Sequence, residues 1–294
     1  MDTSNYKLYL ENDASQSFLN WRERMNGASG SNMIKIDAAI ADKTNPNMLD
    51  NWYFVHPVNQ RIVSGTITLD GTAKYFIDRW KLVSGSVTVT DTGLTLDGTI
   101  AQVLEDAPAS WLNSHRCATV LVRTAQGTLT LDTTAPSYDD SSKTFSITGS
   151  GLNIVAAKFE LGESQTLAHI VDGAYELNVI PNYAEELAKC QRFCFRTTGG
   201  GLFKRADTAY GSTTFQFFLP CPVPMRTNPV VESASESPVI YKFSPTTGLT
   251  QETGFDFNYT AMNNGTIRVI ARKVGHGLSD ASIGMTGVVF SADL

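Results

Sequence analysis

The stretch GSVTVTDTGLTLDGTIAQVL, residues 85–104, decides the fold class. Its apolar residues alternate with threonine and other polar residues, and they are Val87, Val89, Leu94, Leu96 and Ile100. A period of two places successive side chains on opposite faces of a β-strand, so one face can be buried and the other hydrated. The stretch therefore predicts antiparallel strands that cover a core with one face.

The same alternation extends in both directions, and turn residues recur at about every 8–12 positions. Short strands at this spacing are typical of an antiparallel β-sandwich. We therefore predict a mostly β protein in which residues 47–165 form one sandwich. Strand patterns return after residue 197, so residues 197–294 are predicted to form a second, C-terminal β-sandwich domain.

Residues 166–196 are predicted to connect the two domains and to contain a helix. Asn182 can cap its N-terminus, and Glu185 follows three positions later, which is the spacing of a capping box. Tyr183, Leu187 and Cys190 recur at helical spacing and share one face.

Residues 1–46 are predicted to form two short helices at the N-terminus. Their apolar residues recur at helical spacing, and they are Phe18, Trp21, Met25, Met33, Ile36 and Ile40. Helices of about three turns are marginal in water by themselves. Because the neighbouring sequence offers no core for them, we expect copies from other chains or a larger assembly to cover these apolar faces.

Composition excludes several classes of function. The net charge is −6 and no basic block occurs, so a nucleic-acid partner is not expected. No signal peptide and no apolar run of about 20 residues is visible, so we expect cytosolic synthesis without membrane insertion. The four cysteines do not form a disulfide framework and are expected to remain thiols.

Two groups of residues invite comparison with metal ligands. Cys190 and Cys194 are four positions apart, but no histidine lies nearby, so two small buried side chains are the favoured interpretation. Asp139 and Asp140 could hold calcium or could form a solvated hairpin tip.

The glycine-rich stretch at residues 199–208 lacks the Gly-Lys-Ser/Thr ending of a phosphate loop and is interpreted as a surface loop. We predict no metal and no cofactor.

Catalysis has little support in the sequence. A glycosidase needs two carboxylates about 5–9.5 Å apart in a cleft. Asp70, Asp78 and Asp97 lie near strand ends beside aromatic residues, but nothing fixes a pair of them across a cleft. The four histidines are scattered without a Ser-His-Asp order. We therefore predict no catalytic residue and no enzymatic activity.

Aromatic residues cluster in the first third of the predicted sandwich. They are Trp52, Tyr53, Phe54, Tyr75, Phe76 and Trp80. Aromatic faces can stack on sugar rings, but alternating aromatics on strands usually belong to the core. We expect Trp52 and Trp80 to be mostly buried.

Four stretches, in their order along the chain, resemble tail and fibre proteins of tailed bacteriophages and prophages. FLNWRERMNGASGSNMIKIDAAI, residues 18–40, resembles the segment that anchors such fibres to the virion. AAKFELGESQT, residues 156–166, is similar to the closing strand of carbohydrate-binding-like jelly-roll modules. YAEELAKCQRFCFRT, residues 183–197, looks like the helix that opens the C-terminal domain, and FLPCPVPMRTNPVV, residues 218–231, fits the strand that follows.

The resemblance implies a virion structural protein, either a tail fibre or a receptor-binding protein, that is assembled in the host cytoplasm. It implies a homotrimer that binds other virion proteins through residues 1–46 and has a jelly-roll-like middle module. Tyr183, Leu187 and Cys190 would lie between subunits. Phe203 and Tyr210, expected in glycine-rich loops, would contact a host glycan. A head or collar fibre without a receptor, and a polysaccharide depolymerase, are the alternatives.

Overall fold

The structure is a computed structural model that describes residues 45–105, 115–197, 202–205, 208–210, 214–234, 239–244, 248–262, 265–275, 282–285 and 288–293. The described part is mostly β and sandwich-like, with multiple antiparallel sheets and one helix, as predicted. The six residues predicted to anchor the N-terminus lie outside the described residues, and they are Phe18, Trp21, Met25, Met33, Ile36 and Ile40.

The described residues of the first module form eight strands. They are β1 Gly65–Thr68, β2 Lys74–Ile77, β3 Trp80–Thr90, β4 Gly93–Val103, β5 Arg116–Arg123, β6 Leu129–Asp132, β7 Pro136–Asp139 and β8 Thr144–Leu161. Hydrogen bonds join them into one antiparallel sheet in the order β1-β3-β4-β8-β5-β6, with β2 paired to β3 and β7 paired to β8. The module therefore has a continuous sheet where the sequence predicted two separate ones.

The sheet is strongly bent. Phe145 and Phe159 both belong to β8 and would be about 46 Å apart if the strand were straight. Their ring centroids are only 5.6 Å apart, so β8 turns back on itself. The bend lets one continuous sheet enclose the core from both sides.

A row of glycines allows the bend. Gly85 is in register with Gly98, and Gly98 is in register with Gly149 across β3, β4 and β8. A Cβ atom on Gly98 would lie 2.1 Å from the carbonyl oxygen of Ser84, so no larger residue fits without moving the backbone. Bulges lie beside this row in both strand pairs, and bulges bend strands.

The core of the first module includes Trp80 and Phe145, whose rings pack edge to face with centroids 6.2 Å apart. Trp52 is 8% exposed and Trp80 is 0% exposed, which confirms the prediction that both are buried.

The connector contains a small hairpin and one helix. Strands β9 Ala168–Val171 and β10 Ala174–Leu177 form the hairpin, which the sequence analysis missed. Helix α1 spans Tyr183–Gln191, and the side chain of Asn182 caps it by accepting a hydrogen bond of 3.0 Å from the backbone N–H of Ala184. The predicted helix and Asn182 as its cap are confirmed, whereas Glu185 contacts the side-chain amide of Asn182 and not its backbone N–H, as the predicted capping box would require.

The C-terminal module contains eleven described strands. They are β11 Cys194–Arg196, β12 Leu202–Arg205, β13 Thr208–Tyr210, β14 Thr214–Pro220, β15 Val230–Ala234, β16 Val239–Ser244, β17 Gly248–Glu252, β18 Asp256–Met262, β19 Thr266–Arg272, β20 Ser282–Met285 and β21 Val288–Ser291. They form three sheets in the orders β11-β21-β15, β12-β20-β16-β17 and β13-β14-β19-β18. A separate core that includes Phe215, Phe217 and Phe290 fills this module.

Candidate functional site

A cleft of about 540 Å³ separates the first module from the start of α1. Trp52, Lys158 and Thr166 line it on the side of the first module. The extended segment 179–182 and the first turns of α1 line the opposite side. Ligand sites of proteins usually measure about 300–1,000 Å³, so this cleft has the size of a binding site.

Lys158 and Thr166, which line the cleft, form a polar network with the buried Glu160. The ammonium of Lys158 donates to the carbonyl oxygen of Thr166 at 3.2 Å and to its hydroxyl, and it lies 3.1 Å from Oε2 of Glu160. Oε1 of Glu160 accepts a 2.6 Å hydrogen bond from the backbone N–H of Thr166. Lys158 therefore makes two hydrogen bonds to Thr166 and an ion pair with Glu160, and the network fixes the end of β8 to the loop that follows.

The opposite wall has one carboxylate that is paired and one that is nearly free. Glu186 is buried, with Oε2 accepting a 2.6 Å bond from the backbone N–H of Asn51 and Oε1 accepting a 2.6 Å bond from Lys189. Glu185 is exposed, accepts a long hydrogen bond of 3.5 Å from the side-chain amide of Asn182, and interacts electrostatically with Lys189. Glu185 lines the cleft and keeps acceptor capacity there.

Exposed apolar side chains form one rim of the cleft. Val179 is 59% exposed and Ile180 is 69% exposed, whereas Tyr183 at the start of α1 is 53% exposed and lines a neighbouring cavity instead of the cleft. A second cavity of about 110 Å³ lies on the other side of Ile180 and Pro181. Apolar residues exposed together beside cavities are typical of surfaces that bind a ligand or a partner.

A second feature, the joint, connects the two modules and consists of Arg61, Asp78, Arg79, Glu232 and Asp293. Asp78 and Arg79 form the tip of the β2–β3 hairpin, and both are buried. Hairpin tips normally lie on the surface, because their polar groups need water. Here the tip is inserted against the C-terminal module, which supplies the missing partners.

Arg61 is the central cation of the joint. Its Nη1 lies 3.3 Å from Oδ1 of Asp78, while its Nη2 donates to Glu232 at 2.6 Å and to Asp293 at 2.5 Å. Nε of Arg61 also donates to Glu232, at 3.0 Å. One buried guanidinium thus joins a carboxylate of the first module to two carboxylates of the second, and a planar fork with five donors is suited to this task.

Arg79 makes the second connection. Nε of Arg79 donates to Asp50 at 3.1 Å, and the guanidinium lies 3.5 Å from the centre of the Phe193 ring, which is a cation–π contact. Nη1 of Arg79 and Oδ1 of Asp293 are 3.8 Å apart, and neither atom has a hydrogen-bond partner among the described protein atoms.

A neutral amide and a further ion pair extend the joint. Nε2 of Gln60 donates to Asp78 at 2.7 Å and to the carbonyl oxygen of Cys194 at 2.5 Å. Arg226 of the second module donates to Glu105 of the first and, at 3.4 Å, to the carbonyl oxygen of Ala292. Contacts of this number and burial hold the two modules in one relative orientation.

Burial perturbs the acids of the joint. Loss of hydration raises the pKa of Asp78 to about 7, although Arg61 and Gln60 oppose this by stabilising its charged form. Burial likewise raises the pKa of Asp293 above its ordinary value, and Arg61 opposes the shift. The joint therefore contains carboxyl groups that bind protons more tightly in the folded protein than in the unfolded chain.

The residues predicted to contact a neighbouring subunit or a glycan lie in different environments. Cys190 is fully buried inside its own chain, so it has no surface to offer a neighbouring subunit, and that part of the prediction is wrong. Leu187 is half-buried and Tyr183 remains exposed. Phe203 lies in β12 and Tyr210 in β13, so the prediction that both lie in loops is wrong, and their side chains lie outside the described part.

The carboxylates considered for calcium have other partners. Asp139 accepts hydrogen bonds from the backbone N–H and hydroxyl of Ser141, at 2.9 and 2.7 Å, and Asp140 is paired with Arg116. No group of three or more potential metal ligands occurs within the described residues.

The carboxylates considered for catalysis also lie in different environments. Asp70 pairs with Lys74 on the surface, whereas Asp78 is buried in the joint. The two are therefore not presented together to a cleft.

Sequence reasoning missed the joint because its members are far apart in the chain. Arg61 contacts Asp293 across 232 positions, and no local period reports such a pair. One signal was present: Asp78 and Arg79 are flanked by Ile77 and Trp80, large apolar residues that are both buried. Charges enclosed in this way on a short hairpin indicate a buried pair rather than a solvated turn.

No protein family, curated protein or solved structure matches this chain in comparisons of sequence and structure. The resemblance to phage fibre segments therefore remains a prediction. Among the described residues, no helix has both the length and the apolar character needed to span a membrane.

Proposed function

We propose that this chain is a structural protein of a bacteriophage virion, of the fibre or receptor-binding type. In this proposal its N-terminal segment attaches it to the particle, it assembles as a homotrimer, and it contacts a glycan on the host surface without catalysing a reaction. The order of the four sequence motifs supports the class of protein. The exposed apolar side chains of Val179, Ile180 and Tyr183, which lie beside the two cavities, are consistent with contacts to a partner.

The observation that carries the proposal is the joint. A fibre subunit that presents a binding surface at a distance from its anchor must hold the two parts at a fixed angle. Arg61 contributes to this by joining the first module, which follows the N-terminal segment, to the second, because it pairs with Asp78 in one module and with Glu232 and Asp293 in the other. Domains that move independently are usually connected by exposed linkers with few contacts across them.

Deletion of residues 1–44 tests the proposal, because it leaves every described residue in place. We expect the truncated protein to be folded and soluble but absent from purified virions, as measured by mass spectrometry of the particles. Val274→Ser, at a residue that is 89% exposed on the second module, is the matched control and should be incorporated normally. Incorporation of the truncated chain at the full-length level would overturn the proposed anchoring role.

Binding of the labelled full chain to host cells separates the fibre proposal from its alternatives. We expect saturable binding that free host polysaccharide competes away. Incorporation into virions without binding to cells would point to a head or collar fibre. Release of reducing sugar from the polysaccharide would point to a depolymerase.

A further inference from the structure

We infer that the cleft between Trp52 and helix α1 is a binding site for an uncharged saccharide. This inference rests on the proposed function, because it names the chemistry of the glycan and the place of contact. It moves the expected contact from Phe203 and Tyr210 in the C-terminal module to the connector.

The cleft has the mixed surface that a sugar ring requires. A sugar ring has C–H faces that pack on apolar side chains and hydroxyls that need hydrogen bonds. Trp52 and Leu167 line the cleft but are only 8% and 2% exposed, so the apolar surface open to a ligand comes mainly from Val179 and Ile180 at the rim. At about 540 Å³ the cleft falls in the size range of small-ligand sites and can hold a short oligosaccharide.

Polar groups at the mouth of the cleft are available for sugar hydroxyls. Glu185 is exposed and contributes a carboxylate whose one hydrogen bond within the described residues is the long one to Asn182. Lys189 makes a hydrogen bond to Glu186 and is half exposed, so it retains free donors. Asn45 lines the same cleft with a side-chain amide. Together these groups supply both donors and acceptors.

The charge balance of the cleft favours an uncharged ligand. Lys158 is neutralised by Glu160, and Lys189 is neutralised by Glu186, so neither ammonium is left as an unpaired cation for an anionic sugar. The remaining charge belongs to Glu185, which would repel a carboxylate, sulfate or phosphate group. Saccharides that carry uronic acid, sialic acid or phosphate should therefore bind more weakly than uncharged ones.

A pair of matched double variants of the full chain tests the inference. Glu185→Ala with Ile180→Ala removes one acceptor and one apolar contact from the cleft, and both residues are exposed, so folding should be preserved. Glu176→Ala with Ile170→Ala changes the same residue types at exposed positions of the β9–β10 hairpin, which does not line the cleft.

The probe is a printed array of uncharged and anionic oligosaccharides, followed by titration of the best binder. We expect the full chain to prefer uncharged members and the cleft variant to lose about fivefold or more in affinity, while the control stays within about twofold. Absence of binding to uncharged members, preference for anionic ones, or equal binding by the cleft variant would overturn the inference.

Incorporation of the same variants into virions keeps the two proposals apart. Both double variants should be incorporated like the full chain, because neither alters residues 1–44. If the array shows no binding to uncharged saccharides but incorporation into virions still requires residues 1–44, only the saccharide site is refuted. Incorporation that is independent of residues 1–44 would remove the proposed anchoring role, whatever the array shows.

Discussion

Substitution of Arg61 by methionine should destabilise the protein strongly and in a pH-dependent manner. Methionine keeps much of the length of the side chain but removes the cation that faces Asp78, Glu232 and Asp293. Removing one partner of a buried ion pair typically costs about 3–5 kcal/mol, because the remaining charge stays buried without compensation. We expect a loss of that size in the free energy of unfolding at pH 7.5.

Lower pH should recover part of this loss. Arg61 holds down the pKa of Asp78 and of Asp293, so both values rise further when the cation is removed. A carboxyl group whose pKa is raised in the folded state stabilises the fold as pH falls, because the folded state then binds more protons than the unfolded one. Between pH 7.5 and pH 5.5 the cost of Arg61→Met should shrink by about 1–3 kcal/mol.

Urea unfolding of the full chain, followed by tryptophan fluorescence, measures both quantities, since Trp52 and Trp80 lie in the core of the first module. Lys74→Met is the control, because Lys74 forms a surface pair with Asp70 and should leave stability unchanged. If Arg61→Met does not fold at pH 7.5, the double variant Arg61→Met with Asp78→Asn should fold, since it leaves one fewer unpaired charge. A single variant within about 0.5 kcal/mol of the parent, or an equal loss at both pH values, would refute the reasoning.

Three further predictions follow from the described residues. Because the pKa of Asp78 is about 7, this group should cost the parent about 2–3 kcal/mol of unfolding free energy as the pH rises from 5 to 8. Asp78→Asn should remove that part of the pH dependence in urea titrations, and an unchanged pH dependence would contradict the prediction. Gly98→Ala should be much more destabilising than Gly71→Ala. The two glycines have nearly equal φ angles of 144° and 142°, but only at Gly98 would a Cβ lie 2.1 Å from a carbonyl oxygen. Equal melting temperatures of the two variants would refute the clash. Cys190 and Cys194 should resist iodoacetamide at pH 8 in the folded protein, because burial raises the pKa of both thiols, and labelling at the rate of the unfolded chain would disprove this.

Local signals in the sequence predicted the local structure well. The alternation from Val87 to Ile100 lies in β3 and β4, and Asn182 caps α1 as its side chain chemistry requires. These elements depend on neighbours within a few positions, so their patterns are visible in a short window.

The relations between distant elements could not be read from the sequence. Gly85 and Gly98 look like turn residues, but their role comes from lying in register across two strands, where backbones approach too closely for a Cβ. The ion pairs of Arg61 likewise depend on how two modules meet. Cys190 faces its own chain because α1 buries the side that carries Glu186 and Cys190. The spacing of apolar residues did not predict this side, because glutamate is rarely buried.

The mass of the full chain in solution tests the central claim most directly, since a virion fibre subunit of this kind is proposed to work as a trimer. Multi-angle light scattering at neutral pH should give a value near three times the 32.0 kDa of one chain. A monodisperse species of 32.0 kDa across the accessible concentration range would contradict the account.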